Sequence, residues 1–178
     1  MSSFVDVGSE FVAVLSDSHD NLDNVIKAIE ILKKRDIKTI LHLGDFVSPF
    51  TLLRFVSNGF RVIAVLGNND GDKLGMMRIA SHNNSEIHEP PHQLIIEGKK
   101  ILMIHGKGSI EETREFAEAL ASSGKYDAVL YGHTHIIDSR IIRDTLLLNP
   151  GELYGKLSGK ASLAILNIKD LSVEIITL

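Results

Sequence analysis

The sequence predicts an α/β protein of two mixed sheets packed face to face, with helices outside. Three observations point there. Up to Leu66, short apolar runs alternate with helix-periodic segments, the β-α-β-α-β order of a parallel sheet with crossover helices. A hairpin-rich pattern follows in the second half. Apolar residues make up 44% of 178, enough to bury a core without disulfide staples.

The elements read as follows. Glu10–Ser16 is a buried strand, carrying Phe11, Val12, Val14 and Leu15. Leu22, Val25, Ile26, Ile29, Ile31 and Leu32 then recur at helical spacing. Asp20 or Asn21 can cap that helix, and Lys33, Lys34 and Arg35 suit its negative C-terminal end. Ile37–Leu43 is the next strand. Pro49 opens a second helix that Asn58-Gly59 ends. Arg61–Leu66 is a third strand. Residues 71–92, rich in turn formers, read as mostly loop around one short helix. Gln93–Glu97 and Lys100–Ile104 flank Gly98 as a hairpin. Ile110–Ser122 is helical and ends near Gly124, and Asp127–Tyr131 is a strand. Apolar runs at Ile136–Ile142, Ser162–Ile168 and Val173–Thr177 close the chain.

Composition excludes several classes. No repeat, low-complexity segment or linker divides the chain, so residues 1–178 are expected to form a single domain. No apolar stretch approaches the roughly 20 residues of a membrane span, and Met1–Phe4 lacks the basic start of an export signal. The net charge is −4 without a Lys/Arg cluster, so no extended nucleic-acid surface is evident. Cysteine is absent, which suits a reducing, cytoplasmic compartment and leaves only His, Asp, Glu and Asn as metal ligands.

Ligand-type residues gather where apolar strands end. Asp17-Ser18-His19 follows the first strand, Gly44-Asp45 the second and Gly67-Asn68-Asn69-Asp70 the third. His105-Gly106 follows Ile101–Ile104, and Gly132-His133-Thr134-His135 follows Asp127–Tyr131. In open α/β sheets, ligands bind beyond the carboxyl ends of the strands. Each fragment alone is an ordinary turn, but the same pattern at five strand ends points to one site. Asp17/His19 and His133/His135 lie two apart, so extended backbone would aim each pair one way. Glycine beside each cluster permits close backbone approach. The seven candidates are two carboxylates (Asp17, Asp45), four imidazoles (His19, His105, His133, His135) and the amide oxygen of Asn68. That donor set exceeds one tetrahedral zinc and suits two ions. A pair of ions about 3.5–4 Å apart suits phosphoryl hydrolysis. The other histidines read as structural: His42 as a hydrogen-bonded core residue, and His82, His88 and His92 as solvated loop residues.

This series, D-x-H, G-D, G-N-N-D, H and G-H-x-H from Asp17 to His135, resembles the calcineurin-like metallophosphoesterase superfamily, especially the short phosphodiesterases of archaea and bacteria. The resemblance implies a four-layer α/β/β/α sandwich. It also implies that Asp17, His19 and His135 bind one metal, that Asn68, His105 and His133 bind a second, and that Asp45 bridges them. Many family members carry histidine where this chain has Asn69, a position linked to phosphate binding or leaving-group protonation. Asn69 and Asp70 are therefore expected to serve catalysis without supplying a proton: Asn69 by donating to phosphate, Asp70 by orienting a ligand.

The implied activity is hydrolysis of a small phosphodiester or nucleotide-type substrate by a water activated between two divalent metals. Manganese or nickel is preferred, and zinc or iron is compatible. Phosphomonoesterase or nucleotidase activity is the alternative within the same chemistry. A non-enzymatic scaffold, like the retromer subunit of this fold, is the alternative outside it. The sequence leaves oligomeric state open, and a homo-oligomer is compatible with it.

Overall fold

Alternation of apolar and helical segments organises the N-terminal half as expected. The computed structural model describes residues 3–178. Met1 and Ser2, used above only in the argument against an export signal, lie outside the described residues. In order, the elements are β1 (Ser3–Phe4), β2 (Phe11–Leu15), α1 (Leu22–Lys34), β3 (Thr39–His42), α2 (Pro49–Ser57), β4 (Arg61–Val65) and α3 (Lys73–His82). Then come β5 (Glu86–His88), β6 (His92–Ile96), β7 (Lys99–Met103), α4 (Ile110–Ser122) and β8 (Ala128–Leu130). The chain ends with β9 (Ile137–Ile142), β10 (Thr145–Pro150), β11 (Ser162–Asn167) and β12 (Val173–Thr177).

Local chemistry sets the helix starts. The Asn21 side chain accepts from the Asn24 amide at the head of α1, and Ser48 caps α2 with Pro49 in its first turn. Ser109 and Glu112 form a reciprocal capping box on α4.

The strands form two six-stranded sheets, ordered β12-β11-β2-β3-β4-β5 and β1-β6-β7-β8-β10-β9. Within them β2, β3, β4 and β5 run parallel, as do β7, β8 and β10. Strand alternation then builds four layers. Val12, Val14, Leu41 and Val65 face Leu94, Met103, Leu130 and Leu148 of the other sheet, all buried. Their neighbours Ala13, Leu15, Ile40 and Ala64 pack outward against Val25, Leu32, Leu52, Phe55 and Met76 of α1 to α3. On the far side Leu102, Val129 and Leu147 pack against Ala117 and Ala121 of α4. This is the α/β/β/α sandwich. Among the described residues, no helix is long and apolar enough to cross a membrane.

Three expectations need correction. Residues 71–92 are less irregular than their turn formers suggest: α3 spans ten residues and β5 adds a parallel edge strand beside β4. Asp72 starts α3 by accepting from the Gly75 amide, so a turn-forming residue acts as a cap. Thr145–Pro150 is a fully buried strand between β8 and β9, an apolar run too short for its periodicity to stand out. His92 is not solvated. It is buried in β6 and its ring stacks on His88, centroids 3.5 Å apart. His82 is exposed and His42 is fully buried, as expected.

Candidate metal centre

Parallel strands of both sheets end at the same edge, and the polar clusters meet there. The loops after them are cross-tied through the backbone. The Asp17 amide donates to the Gly44 carbonyl at 3.0 Å, the Gly132 amide to that of His105 at 2.9 Å, and the Leu153 amide to that of Ser16 at 2.9 Å. Close approach explains the glycines. A Cβ on Gly67 would overlap the Asp45 carboxylate, and one on Gly132 would overlap the Ser16 hydroxyl.

The pairing of Asp17 with His19, and of His133 with His135, has a different cause from the one expected. The backbone is left-handed rather than extended, with φ of 51° at Asp17, 41° at His19, 68° at His133 and 61° at His135. Asp45 shares that conformation at φ 57°. Such values are uncommon outside glycine, although Asp, Asn and His tolerate them best.

All seven candidates come together. Asp17, His19 and His135 offer ligand atoms within 4.8 Å of one another, and so do Asp17, Asp45 and His105. Asp45 lies between two donor sets. Its Oδ2 is 3.6 Å from His19 Nε2 and its Oδ1 is 3.5 Å from His105 Nε2. Asn68 Oδ1 lies 3.0 Å from His105 Nε2 and 2.9 Å from His133 Nδ1. His135 Nε2 is 3.7 Å from Asp17 Oδ1.

Three imidazoles are oriented by their other nitrogen. His105 Nδ1 donates to the Leu43 carbonyl at 2.7 Å, and His133 Nε2 to that of Gly108 at 2.9 Å. His135 Nδ1 donates to Glu152 Oε2 at 2.9 Å. Each ring therefore turns its remaining lone pair toward the cluster, the tautomer a metal ligand needs.

The donor set fits divalent cations. Asp17 Oδ1 and His19 Nε2 are buried without a hydrogen-bond partner, and an unpaired buried polar atom costs free energy unless something occupies it. The mixture of imidazole, carboxylate and amide oxygen suits first-row divalent metals.

Burial and mutual charge set the electrostatics of the site. Burial raises the Asp17 pKa, only partly offset by His105 and His135. Burial also opposes ionisation of Asp45, but hydrogen bonds and charge from His105, with two bonds from Asn69, outweigh it and hold this carboxyl low. Burial would lower His105, yet Asp45 and Asp17 raise it overall.

Asn69 and Asp70 sit at the site in supporting positions. The Asn69 amide N–H donates to Asp45 Oδ1 at 2.8 Å and its side chain to Asp45 Oδ2 at 2.6 Å. One of its two side-chain N–H groups is thus engaged by a carboxylate. Asp70 accepts from the backbone of Asp45 (3.1 Å), Gly67 (2.7 Å) and Val47 (2.9 Å), which pins two ligand loops together.

Sequence reasoning missed Glu152, which lies beyond β10 and is fully buried. Beside His135, it accepts from Leu157 N at 2.9 Å, Ser158 N at 2.5 Å and Ser158 Oγ at 2.7 Å. The signal was there: Leu146-Leu147-Leu148 leads to Gly151-Glu152 much as Ile40-Leu41-His42-Leu43 leads to Gly44-Asp45.

Fold and donor set define a class: an α/β/β/α sandwich with a candidate centre for several divalent-metal ligands at one sheet edge. The model of the calcineurin-like phosphoesterase superfamily domain matches residues 11–171. The chain is 35% identical over 157 residues to Phosphodiesterase MJ0936 of Methanocaldococcus jannaschii, covering 88% of this chain and 92% of that protein. It resembles the solved structure of an archaeal phosphodiesterase with a TM-score of 0.85 and 34% identity, over 94% of this chain and 99% of that one. A Vps29 variant from Entamoeba histolytica matches with a TM-score of 0.70 over 94% of this chain and 99% of that one. At 20% identity, that likeness is one of fold alone. The chain belongs to the calcineurin-like phosphoesterase superfamily, which together with the donor groups of the site implies divalent metal ions.

Proposed function

We propose that this protein is a metal-dependent phosphodiesterase that hydrolyses a small phosphodiester or nucleotide-type substrate, with residues 1–178 acting as one domain. The observation that carries the two-metal reading is the position of Asp45, whose two oxygens face different imidazoles, His19 at 3.6 Å and His105 at 3.5 Å. In this reading Asp17, His19, Asp45 and His135 hold one cation, and Asp45, Asn68, His105 and His133 hold the other. When bound, two such cations supply an activated water and positive charge for the phosphate oxygens.

The chain's own residues do the rest. Glu152 and the Gly108 carbonyl keep His135 and His133 in the metal-binding tautomer. Asp70 holds the Asp45 loop in register with the Asn68 loop, and Asn69 steadies the Asp45 carboxylate. The second N–H of the Asn69 amide is the proposed donor to a substrate phosphate. An amide donates a hydrogen bond but no proton, so the departing oxygen takes its proton from solvent. Manganese or nickel is the proposed metal, with zinc or iron as alternatives, because mixed imidazole and carboxylate donors accept all four. The proposed place of action is the cytoplasm.

The test is turnover of bis(4-nitrophenyl) phosphate against 4-nitrophenyl phosphate with each metal, alongside metal content. Metal-dependent hydrolysis that favours the diester is expected. Preference for the monoester would assign a phosphomonoesterase, and neither activity with any metal would sink the enzymatic reading.

A further inference from the structure

Three large apolar side chains stand exposed beside the candidate centre: Ile110 (41% exposed), Ile136 (45%) and Leu157 (68%). Scattered singly, such residues need no explanation. Here they converge, lining with His133, Thr134, His135 and Ser158 an open cleft of about 360 Å³. No Lys, Arg, Asp or Glu lines it. The opposite flank, beside His19, differs, being walled by Asp20, Asp23 and Lys156.

The cleft walls hang on the same contacts that orient the two imidazoles. His133 Nε2 donates to the Gly108 carbonyl at 2.9 Å, just before Ser109 caps α4 and Ile110 opens it. His135 Nδ1 donates to Glu152 Oε2, and Glu152 Oε1 gathers Leu157 N, Ser158 N and Ser158 Oγ. The polar atoms of Ser158 thus turn toward Glu152, while the Leu157 side chain is left to the cleft. Ile136 directly follows His135.

Because His133 and His135 both belong to the candidate centre and line this cleft, a phosphate bound at the centre would have the cleft directly beside it. An uncharged lining removes a hydrocarbon from water without burying a charge, whereas sugar hydroxyls would lose hydrogen bonds there. The volume is ample, since a cavity of about 150 Å³ already accommodates benzene. We propose that the cleft is the subsite for a hydrocarbon ester group, aliphatic or aryl, carried on the substrate phosphate. Ile110, Ile136 and Leu157 are then specificity residues. The inference rests on the metal-centre reading above and names the substrate class that reading leaves open.

The test is calorimetric binding of inorganic phosphate and of methyl-, hexyl- and phenylphosphonate to the manganese-loaded protein. Full burial of one methylene is worth about fourfold in affinity, so five half-buried methylenes predict about thirtyfold tighter binding of hexyl- than of methylphosphonate. In a Leu157→Ser/Ile136→Thr double variant that ratio should fall below about fivefold. Equal affinities for the methyl and hexyl compounds, or an undiminished ratio in the double variant, would overturn the subsite while leaving the metal centre standing. If inorganic phosphate and methylphosphonate also fail to bind, the centre itself is refuted and the subsite falls with it. The two failures are distinguishable because neither small probe reaches into the cleft.

Discussion

Glu152→Gln is the sharpest test of how the centre is oriented, because it changes one charge and almost no volume. The carboxylate accepts four hydrogen bonds: from His135 Nδ1 at 2.9 Å, Leu157 N at 2.9 Å, Ser158 N at 2.5 Å and Ser158 Oγ at 2.7 Å. Burial would raise its pKa, but the bonds from Ser158 and His135 outweigh burial and keep it ionised. Glutamine has one acceptor oxygen. If that oxygen stays with Leu157 and Ser158, the new NH2 group faces the His135 Nδ1–H. The imidazole must then carry its proton on Nε2, the atom that faces Asp17, and loses its ligand lone pair. If the amide turns the other way, two backbone N–H donors face an NH2 group instead. Either way one donor opposes another. Losing a partner that orients a metal-binding histidine costs about 10–100-fold in metal affinity, or about 1.4–2.7 kcal/mol. Titration calorimetry of manganese into chelator-stripped protein measures this directly, with denaturant unfolding of the metal-free variant as a check on the fold. A folded variant that binds manganese within about twofold of wild type would refute the argument.

Further outcomes follow from the same geometry. Asp45→Asn should abolish turnover and lower metal content to one equivalent or fewer, read by elemental analysis; two tightly held metals would remove Asp45 from the bridging position. Melting temperature should rise with manganese and fall with chelator, since a ligand at a hundred times its Kd stabilises by about 2.7 kcal/mol; an unchanged curve would argue for an inert site. Burial depresses the His42 pKa from 6.5 to about 3, so the unfolded chain takes up the proton first. The stability this contributes is complete above pH 6.5 and is lost as pH falls toward 3. Urea unfolding in chelator should show about 2 kcal/mol less from this source at pH 5 than at pH 7, and His42→Gln should remove that share of the slope. Rate should depend steeply on leaving-group pKa, because Asn69 supplies no proton and general acid help is worth on the order of 10²–10⁴-fold. Asn69→His should help alkyl esters more than aryl esters, and a flat wild-type dependence would point to another proton source.

Much of this is legible in the sequence, for identifiable reasons. Strands such as Phe11–Leu15 and helices such as Leu22–Lys34 announce themselves because apolar spacing is what buries them. The candidate site was legible because its proposed ligands lie two to five residues beyond the ends of such strands. Most of what was missed is not encoded in local pattern, the apolar run before Gly151-Glu152 being the exception. Thr145–Pro150 became a strand because β8 and β9 flank it, and overlooking it hid Glu152. His92 reads as a polar loop residue in sequence, yet β7 pairs with its strand and His88 covers its ring. Extended backbone was the natural assumption for Asp17 and His19, and nothing in an Asp-Ser-His triplet reports a left-handed φ.

That left-handed backbone bears on how metal and fold are coupled. Asp17, His19, Asp45, His133 and His135 all have positive φ, and each such residue costs on the order of 1–2 kcal/mol. The strain persists because other residues over-determine it. Asp70 holds the amides of Asp45, Val47 and Gly67. Asn149 donates to the Gly132 carbonyl and to Thr134 Oγ1 at 3.0–3.1 Å. Asp17 Oδ2 accepts from the Ser16 hydroxyl and the His133 amide. None of these bonds uses Asp17 Oδ1 or His19 Nε2, two buried atoms of the site without a hydrogen-bond partner. The sandwich and its second set of hydrogen bonds therefore hold the ligand loops in place, and those two atoms remain for a cation. At the proposed centre, metal binding would then draw little on ordering the loops, and its free energy would go chiefly into relieving unpaired polar atoms and carboxylate repulsion.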